Sequence, residues 1–359
     1  MRFDNLNKIP VRTAVIQEVN DISLNISEFK INEFNNFNIE PLKENGVEVK
    51  SLESNSEFLK ALKYGVSKEL LEEADKNFTN GIVLELADNV NLKENIVLNF
   101  NMDNDNNTLV DNIVIVAGKD SKANIIIKYS SDKELDGYHN GVLRVFAKDN
   151  ANIKVSKVNL LGKNIKNFDS NMSEVGENAT VDFIGIDLGG NSTISNYEAI
   201  LNGNKSKADA SAIYVGSDNE KIDMNYVMTI KGEKVNTNIN VKGALKDKAL
   251  KNFKGTLDFK KGAKKSKGAE EEYCMLLSDK ARSRSVPLLL CEEEDVSGEH
   301  AAASGTIDEN KLFYLMSRGI SYEEARILII NAAFNPIIDK IGSEYIESEI
   351  VSYIKEILA

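Results

Sequence analysis

The sequence predicts a mostly β chain, a β-solenoid core with helical regions before and after it. Three observations carry that prediction. Between residues 82 and 300 the apolar residues fall in short runs rich in Val, Ile and aromatics, separated by polar turns, with no amphipathic helical stretch among them. Within that region a unit echoes: DSKANIIIKY (120–129), KDNANIKVSKV (148–158) and GENATVDFIG (176–185) place Ala123, Ala151 and Ala179 at a spacing of 28. After residue 305 the apolar period becomes helical again.

Residues 1–81 form a mixed, partly helical N-terminal region. In SNSEFLKALKYGVSKELLEEADKNFTNG (54–81), Ser56 is placed to cap a first short helix carrying Leu59 and Leu62. Ser67 is placed to cap a second carrying Leu70, Leu71 and Ala74, with Gly81 as its stop. Residues 82–305 are the β-solenoid core. Each unit gives an acidic or Asn turn, a small residue and an apolar–polar–apolar strand, and KADASAIYV puts Ala208 or Ala210 at the next step. Strands recurring at a fixed period without helices between them point to stacked coils, whereas a sandwich needs no such echo. The region holds about eight coils, and a strand spacing near 4.8 Å makes the stack roughly 40 Å long.

Residues 306–359 form a C-terminal helical domain. Thr306 and Glu309 fit a capping box ahead of Leu312, Phe313, Leu315 and Met316, with Gly319 as the stop. Ser321 and Glu324 start a second helix that runs to Pro336. Gly342-Ser343 starts a third, with Ile346, Ile350, Val351, Ile354 and Leu358 on one stripe. The open end of a solenoid leaves strand edges unpaired and must be covered. These helices are expected to cap it, to act as a docking surface, or both.

Composition narrows the function. A net charge of −12 argues against a nucleic-acid binder, which needs a basic face. No apolar run approaches the length of a membrane span. MRFDNLNKIP lacks the apolar core of a signal peptide, so the chain is expected in the cytoplasm. There are two cysteines, Cys274 and Cys291, without CxxC spacing. A cysteine-only metal or cluster site takes about four thiolates, so a cluster held here borrows ligands from elsewhere.

No GxxxxGK[ST], GxSxG or HExxH motif is present. DLGGNST (187–193) reads as a turn, and the runs KKGAKKSK (260–267) and AEEEY (269–273) as solvated turns. Cys274 and Cys291 read as inert core thiols. The chain has two histidines. His139, in ELDGYHNG, reads as a surface histidine in a polar turn. His300 is preceded by Glu299, with Glu292, Glu293, Glu294 and Asp295 just upstream. A neighbouring carboxylate can orient an imidazole and favour metal binding. This makes His300 a candidate ligand and Glu299 a lesser one, beside the plainer reading of a structural histidine.

Between residues 255 and 335 the chain resembles the SufB/SufD family of iron–sulfur cluster assembly proteins. The pieces that carry the resemblance are LLSDKA (276–281), Pro287, EDVSGEHAAASGTID (294–308), LFYLMSRGIS (312–321) and EEA (323–325). The resemblance implies a right-handed parallel β-helix with helical ends, paired through its β-helix with a SufB-like homologue. It also implies that the C-terminal helices dock a SufC-like ABC ATPase, here through Leu312, Phe313, Tyr314, Arg318 and Gly319.

Where SufB-like members carry a cysteine in a Gly-Asp-x-Cys context this chain has Ala281, and where they read Glu-His-Glu it reads Glu299-His300-Ala301. Both departures favour a SufD-like member. Gly298 stands where many SufD-like chains place a cysteine. His300 matches the family histidine at the SufB–SufD interface. The resemblance therefore implies a scaffold rather than an enzyme. No cofactor is expected to be tightly bound in isolation; a transient iron–sulfur cluster is expected at the interface, with one ligand from His300. The alternatives are a SufB-like scaffold that pairs with itself as a homodimer, and a β-helix carbohydrate-active enzyme, against which the absence of Trp and the scarcity of aromatics count.

Overall fold

Winding requires the chain to turn the same way at the same place in every coil, and one corner shows how it does so. Asp120, Asn150, Asn178, Lys205, Lys234 and Lys265 all have positive φ, between 53° and 60°. Each is followed by a buried small or β-branched residue: Ser121, Ala151, Ala179, Ser206, Val235 and Ser266. Asn and Asp tolerate the left-handed conformation better than most side chains, which is why the repeat looks like an Asn or acidic turn followed by a small residue. The register corrects the repeat by two positions, since Lys122 pairs with Asn152 and Asn152 with Thr180. Ser121 rather than Ala123 is therefore the counterpart of Ala151 and Ala179, and Ser206 rather than Ala208 or Ala210 comes next.

The computed structural model describes residues 2–11, 13, 19–20, 22–25, 29–41 and 45–358. The chain begins with β1 (Arg2–Leu6), β2 (Ile22–Asn25), β3 (Phe37–Glu40) and β4 (Val47–Ser51). A 3₁₀ turn (Glu57–Lys60) capped by Ser56 and α1 (Lys68–Lys76) capped by Ser67 follow. Helix α1 ends at Asn77 rather than at Gly81, which already lies in β5 (Asn80–Leu86).

Strand β5 and β6 (Ile96–Met102) make the first coil. The next are β7 (Thr108–Ala117) with β8 (Lys122–Ser131), β9 (Tyr138–Ala147) with β10 (Asn152–Leu161), and β11 (Lys166–Val175) with β12 (Thr180–Gly189). Then come β13 (Ser192–Leu201) with β14 (Lys207–Gly216), β15 (Lys221–Ile230) with β16 (Asn236–Leu245), β17 (Leu250–Phe259) with β18 (Ser266–Leu276), and β19 (Arg282–Cys291) with β20 (Val296–Gly305). Odd strands stack in parallel in one nine-stranded sheet that ends in β4. Even strands stack in a second that ends in β3. As expected, the core is a β-solenoid, of eight coils among the described residues; of DLGGNST only Gly190 and Asn191 form the turn, Asp187–Gly189 closing β12 and Ser192 and Thr193 opening β13. Alternate side chains from both sheets meet inside it, for example Ile125, Ile127, Val155, Phe183, Tyr197, Met224 and Phe253.

The faces and ends of the stack differ. Helix α1 packs Leu70, Leu71 and Ala74 on the outer face of the odd sheet against Val110, Tyr138, Val142 and Phe168. The N-terminal segment is pinned there by buried Lys254, which donates to Asp223 (2.5 Å) and to the Asn7 carbonyl (2.8 Å). At the start of the stack β3 and β4 pair antiparallel with β6 and β5.

The C-terminal helices are α2 (Glu309–Ser317), α3 (Tyr322–Ile338) and α4 (Glu344–Leu358). Asp308, not Thr306, caps α2, accepting from the N–H groups of Asn310 and Lys311. Ser321 and Glu324 form the expected capping box, and α3 carries Pro336 inside its last turn rather than ending before it. The helices do not cap the open end. Helices α3 and α4 bury Ile330, Phe334, Ile338, Ile350 and Ile354 against the outer face of the even sheet, over Val158, Leu160, Ile184, Ile186 and Ile213. The middle coils carry that outward apolar row. The last strand offers only Ser297, Glu299, Ala301 and Ala303 at the same outward positions, so the helices lie where apolar area can be buried. Among the described residues no helix is long and apolar enough to cross a membrane.

Candidate functional site

Among the described residues, strands β19 and β20 each have a single neighbour in their sheets, so the far edge of the eighth coil is unpaired there. His300 lies in the middle of β20. Its register partner in the coil below is Glu270, and Gly298, Ala302 and Ser304 stand over Gly268, Glu272 and Cys274. This row faces the interior of the solenoid: a Cβ added at Gly298 would come within 2.6 Å of Leu289 Cδ1 and 3.2 Å of Phe259 Cε2. His300 is nevertheless exposed, because no ninth coil covers it.

The acids expected beside His300 are elsewhere. Successive strand residues point to opposite faces, so Glu299 projects outward, over Ala269. Glu293 accepts from the Gly262 N–H (3.0 Å) and Glu292 pairs with Lys260 (3.1 Å), both in the preceding coil. The run AEEEY is a strand rather than a solvated turn: Glu271 is exposed outside while Glu270 and Glu272 are buried inside. Alternation along β18 was the signal for this, with Glu270, Glu272 and Cys274 all of one parity.

The two inward glutamates have opposite surroundings. Glu272 accepts from Tyr214 Oη (3.0 Å), Lys251 Nζ (2.7 Å) and Ser285 Oγ (2.7 Å). Glu270, only 2% exposed, has no hydrogen-bond partner among the described residues on either carboxylate oxygen. Its carboxyl group fills the space that Gly255 leaves open; a Cβ there would stand 2.3 Å from it. Burial, with the Glu272 charge adding to it, pushes the Glu270 carboxyl up to about 7.

Cys274 is a buried thiol whose pKa burial raises, in keeping with an inert role. Cys291 is exposed at the end of β19, its thiol donating to the Glu293 carbonyl (2.9 Å). It is not the core thiol expected, because among the described residues β19 is the last strand of its sheet and none is stacked beyond it. Among the described residues no three His, Cys, Asp or Glu side chains are gathered to hold a metal ion.

His139 departs furthest from its sequence reading. It lies on β9, fully buried inside the third coil. Nε2 is 2.7 Å from Asp111 Oδ1, Nδ1 is 2.6 Å from Asn167 Oδ1, and the ring lies 4.4 Å from that of Tyr129. Tyr129 also donates to Asp111 (2.9 Å), and Lys157 forms a buried pair with Asp169. Further along the interior, Asp187 accepts from Asn159 (2.7 Å) and Ser195 (3.0 Å). Burial pushes its carboxyl up to about 6.

The second candidate region is α2. It buries none of its residues; Phe313 is 75% exposed and Tyr314 is 57% exposed. Leu312 is half-buried beside Leu276, Leu277 and Met316. Arg318 caps the helix with its guanidinium 5.3 Å from the Tyr314 ring centroid, and Gly319 turns the chain at φ +89°. Between α2 and α3 runs an apolar groove of about 520 Å³ lined by Tyr314, Leu315, Leu328, Ile329 and Ala332. Leu312, Phe313, Tyr314, Arg318 and Gly319 thus gather on one short element, apart from the row that holds His300.

Comparison with known proteins gives the family. Residues 100–333 match the family described as SUF system FeS cluster assembly, SufBD core domain. The chain is 27% identical over 278 residues to the iron–sulfur cluster assembly protein SufD of Bacillus subtilis, covering 77% of this chain and 63% of that protein. It is 28% identical over 292 residues to an iron–sulfur cluster assembly SufBD family protein of Pyrococcus horikoshii, covering 80% and 64%. With a SufBD family protein of Mycobacterium leprae it shares 23% identity over 210 residues, which are 58% of this chain and 24% of the relative. The chain thus spans less than two thirds of the length of each of these relatives.

Proposed function

This chain belongs to the SUF-system SufBD core family, and we propose that it works as a SufD-like scaffold subunit rather than as an enzyme. The open end of the solenoid receives a SufB-like homologue, and the α2–α3 surface docks a SufC-like ABC ATPase. A transient iron–sulfur cluster is carried as cargo where the two solenoids meet, with His300 supplying one ligand.

The observation that supports this most is the unfinished eighth coil. Two parallel sheets stop at β19 and β20 with their hydrogen-bonding edges free. A row of unpaired N–H and C=O groups is a template for another chain's strands. The C-terminal helices leave that edge alone and present an exposed apolar surface of their own, so two docking surfaces coexist on separate parts of the molecule. A cluster needs about four protein ligands, more than the open end of one chain offers, and a site shared between two chains meets that count.

Co-expression with a cysteine-bearing homologue and an ABC ATPase, followed by affinity purification, tests the reading. Recovery of all three together is expected; a chain that purifies alone overturns it. Arg318→Glu is expected to weaken recovery of the ATPase subunit while the circular dichroism spectrum is unchanged, and undiminished recovery would remove the docking assignment. The same open edge can also receive a second copy of this chain. Light scattering with and without the homologue separates the self-pairing scaffold from the mixed pair.

A further inference from the structure

The geometry points to Glu270 as a metal ligand. Together with His300 it forms this chain's half of a binding site for a divalent first-row cation, ferrous iron in the first place, at the floor of the open solenoid end.

The contrast between the two inward glutamates of β18 carries the inference. Both are buried, on one strand and on the same face, two residues apart. The fold gives Glu272 three donors and Glu270 none. Buried carboxylates ordinarily have hydrogen-bond partners, and those without one call for an explanation. Here the backbone makes room for the orphan group, because Gly255 opposite has no side chain and any Cβ there would collide with it. The strand beyond Gly255 carries Pro287 in register, which has no N–H to offer.

What the fold does place next to Glu270 is His300, its register partner one coil further on and an exposed position of that inward row. Neighbouring strands are about 4.8 Å apart, a separation that one cation can bridge between a carboxylate oxygen and an imidazole nitrogen. A carboxylate with an imidazole suits Fe(II), Mn(II) or Zn(II) better than a soft ion such as Cu(I). Lys251 does not repel a cation there, since its ammonium is held by Glu272 and Ser285.

Two protein ligands leave most of the coordination sphere to water or to whatever docks on the open end. The inference therefore rests on the scaffold reading for the second half of the site and for iron as the cargo. It adds a residue, Glu270, in place of the adjacent Glu299, which faces away.

The test is an anaerobic titration of the full chain, without partner, with an Fe(II) salt alone, read by competition with a chelating dye. The wild type is expected to bind one Fe(II) per chain. Glu270→Gln and His300→Ala are each expected to weaken it at least tenfold, and Glu299→Gln to leave it unchanged. Metal-free Glu270→Gln is expected to melt no lower than the wild type, because it removes a buried carboxylate that has no partner. Weakened binding in that variant then cannot come from loss of the fold.

Fe(II) binding by Glu270→Gln as tight as by the wild type overturns the proposal, as does an equal loss in Glu299→Gln. If His300→Ala loses iron while Glu270→Gln keeps it, Glu270 is not a ligand and the scaffold reading stands. If both variants lose iron but the wild type never co-purifies with a homologue, the scaffold reading fails and the site stands.

Discussion

The two histidines of this chain occupy the same kind of position, an inward-facing residue of a solenoid strand, and have opposite surroundings. His139, in the third coil, has a coil stacked on each side, with Asp111 in the coil before and Asn167 in the coil after holding its two nitrogens. His300, in the eighth, has Glu270 below it and, among the described residues, no strand above. Both follow polar turns with acids close by. The difference lies in the number of coils beyond each of them. An inward polar group in mid-stack must find partners inside the chain, whereas in the last coil one side of it is left open. Glu270 belongs to the last coil's chemistry although it is buried, because the group positioned to meet it sits in the open coil.

Replacing each histidine by alanine breaks or sharpens that comparison most strongly. His139→Ala leaves a cavity and strips Asp111 and Asn167 of a buried partner, an expected loss of about 3 kcal/mol in urea unfolding. Pairing of the folded fraction with a homologue should be unchanged. His300→Ala should stay within about 0.5 kcal/mol of the wild type, the usual range for an exposed position, while weakening cluster retention on the paired complex. Equal destabilisation by the two would mean that the end coil is not open in solution.

The closed interior also has a pH signature of its own. Asp187, buried between Asn159 and Ser195, has its carboxyl raised from 3.8 to about 6. The folded state then holds a proton that the unfolded state has released. The stabilisation is complete below about pH 4 and is lost as pH rises towards 6. At 1.36 kcal/mol per unit the loss is about 1–3 kcal/mol. Asp187→Asn should flatten that part of the stability profile by the same amount. An unaltered slope between pH 4 and 6 would place the protonated group elsewhere, with Glu220, also raised to about 7, the next to examine.

Much of the solenoid was legible because its physics is local. The change of period at residue 82 and the left-handed corners at Asp120, Asn150 and Asn178 are written in single residues. The repeat slipped by two at Ala123 because turn length varies from coil to coil, so that Ser121, Ala151, Ala179 and Ser206 are the true equivalents. Non-local facts were hidden. An outward row such as Ile184 and Ile186 reads as strand whether a helix or another sheet covers it, so the helices were expected over the end and lie instead along the even sheet. A polar turn precedes His139 and makes it read as a surface residue, while its parity with Leu143 and Val145 on β9 is the cue to the interior. Glu270 was lost in a run of acids for the same reason. The exposure of Cys291 required knowing which coil is last.

The smallest effect on stability, and a sharp one for docking, is expected at α2. Phe313 and Phe334 are both helical phenylalanines of the C-terminal domain. Phe334 is fully buried over the even sheet, and its removal would cost about 3–5 kcal/mol. Phe313 projects into solvent from a helix that buries nothing. A small domain gains nothing from exposing an aromatic ring unless something covers it. Phe313→Asp should therefore leave the unfolding midpoint unchanged and improve solubility of the isolated chain. The same substitution should cut recovery of the ATPase subunit at least tenfold and leave pairing at the open end intact. A fall in stability like that of Phe334→Ala would show α2 to be part of the core. Loss of both partners together would show that the two surfaces are one.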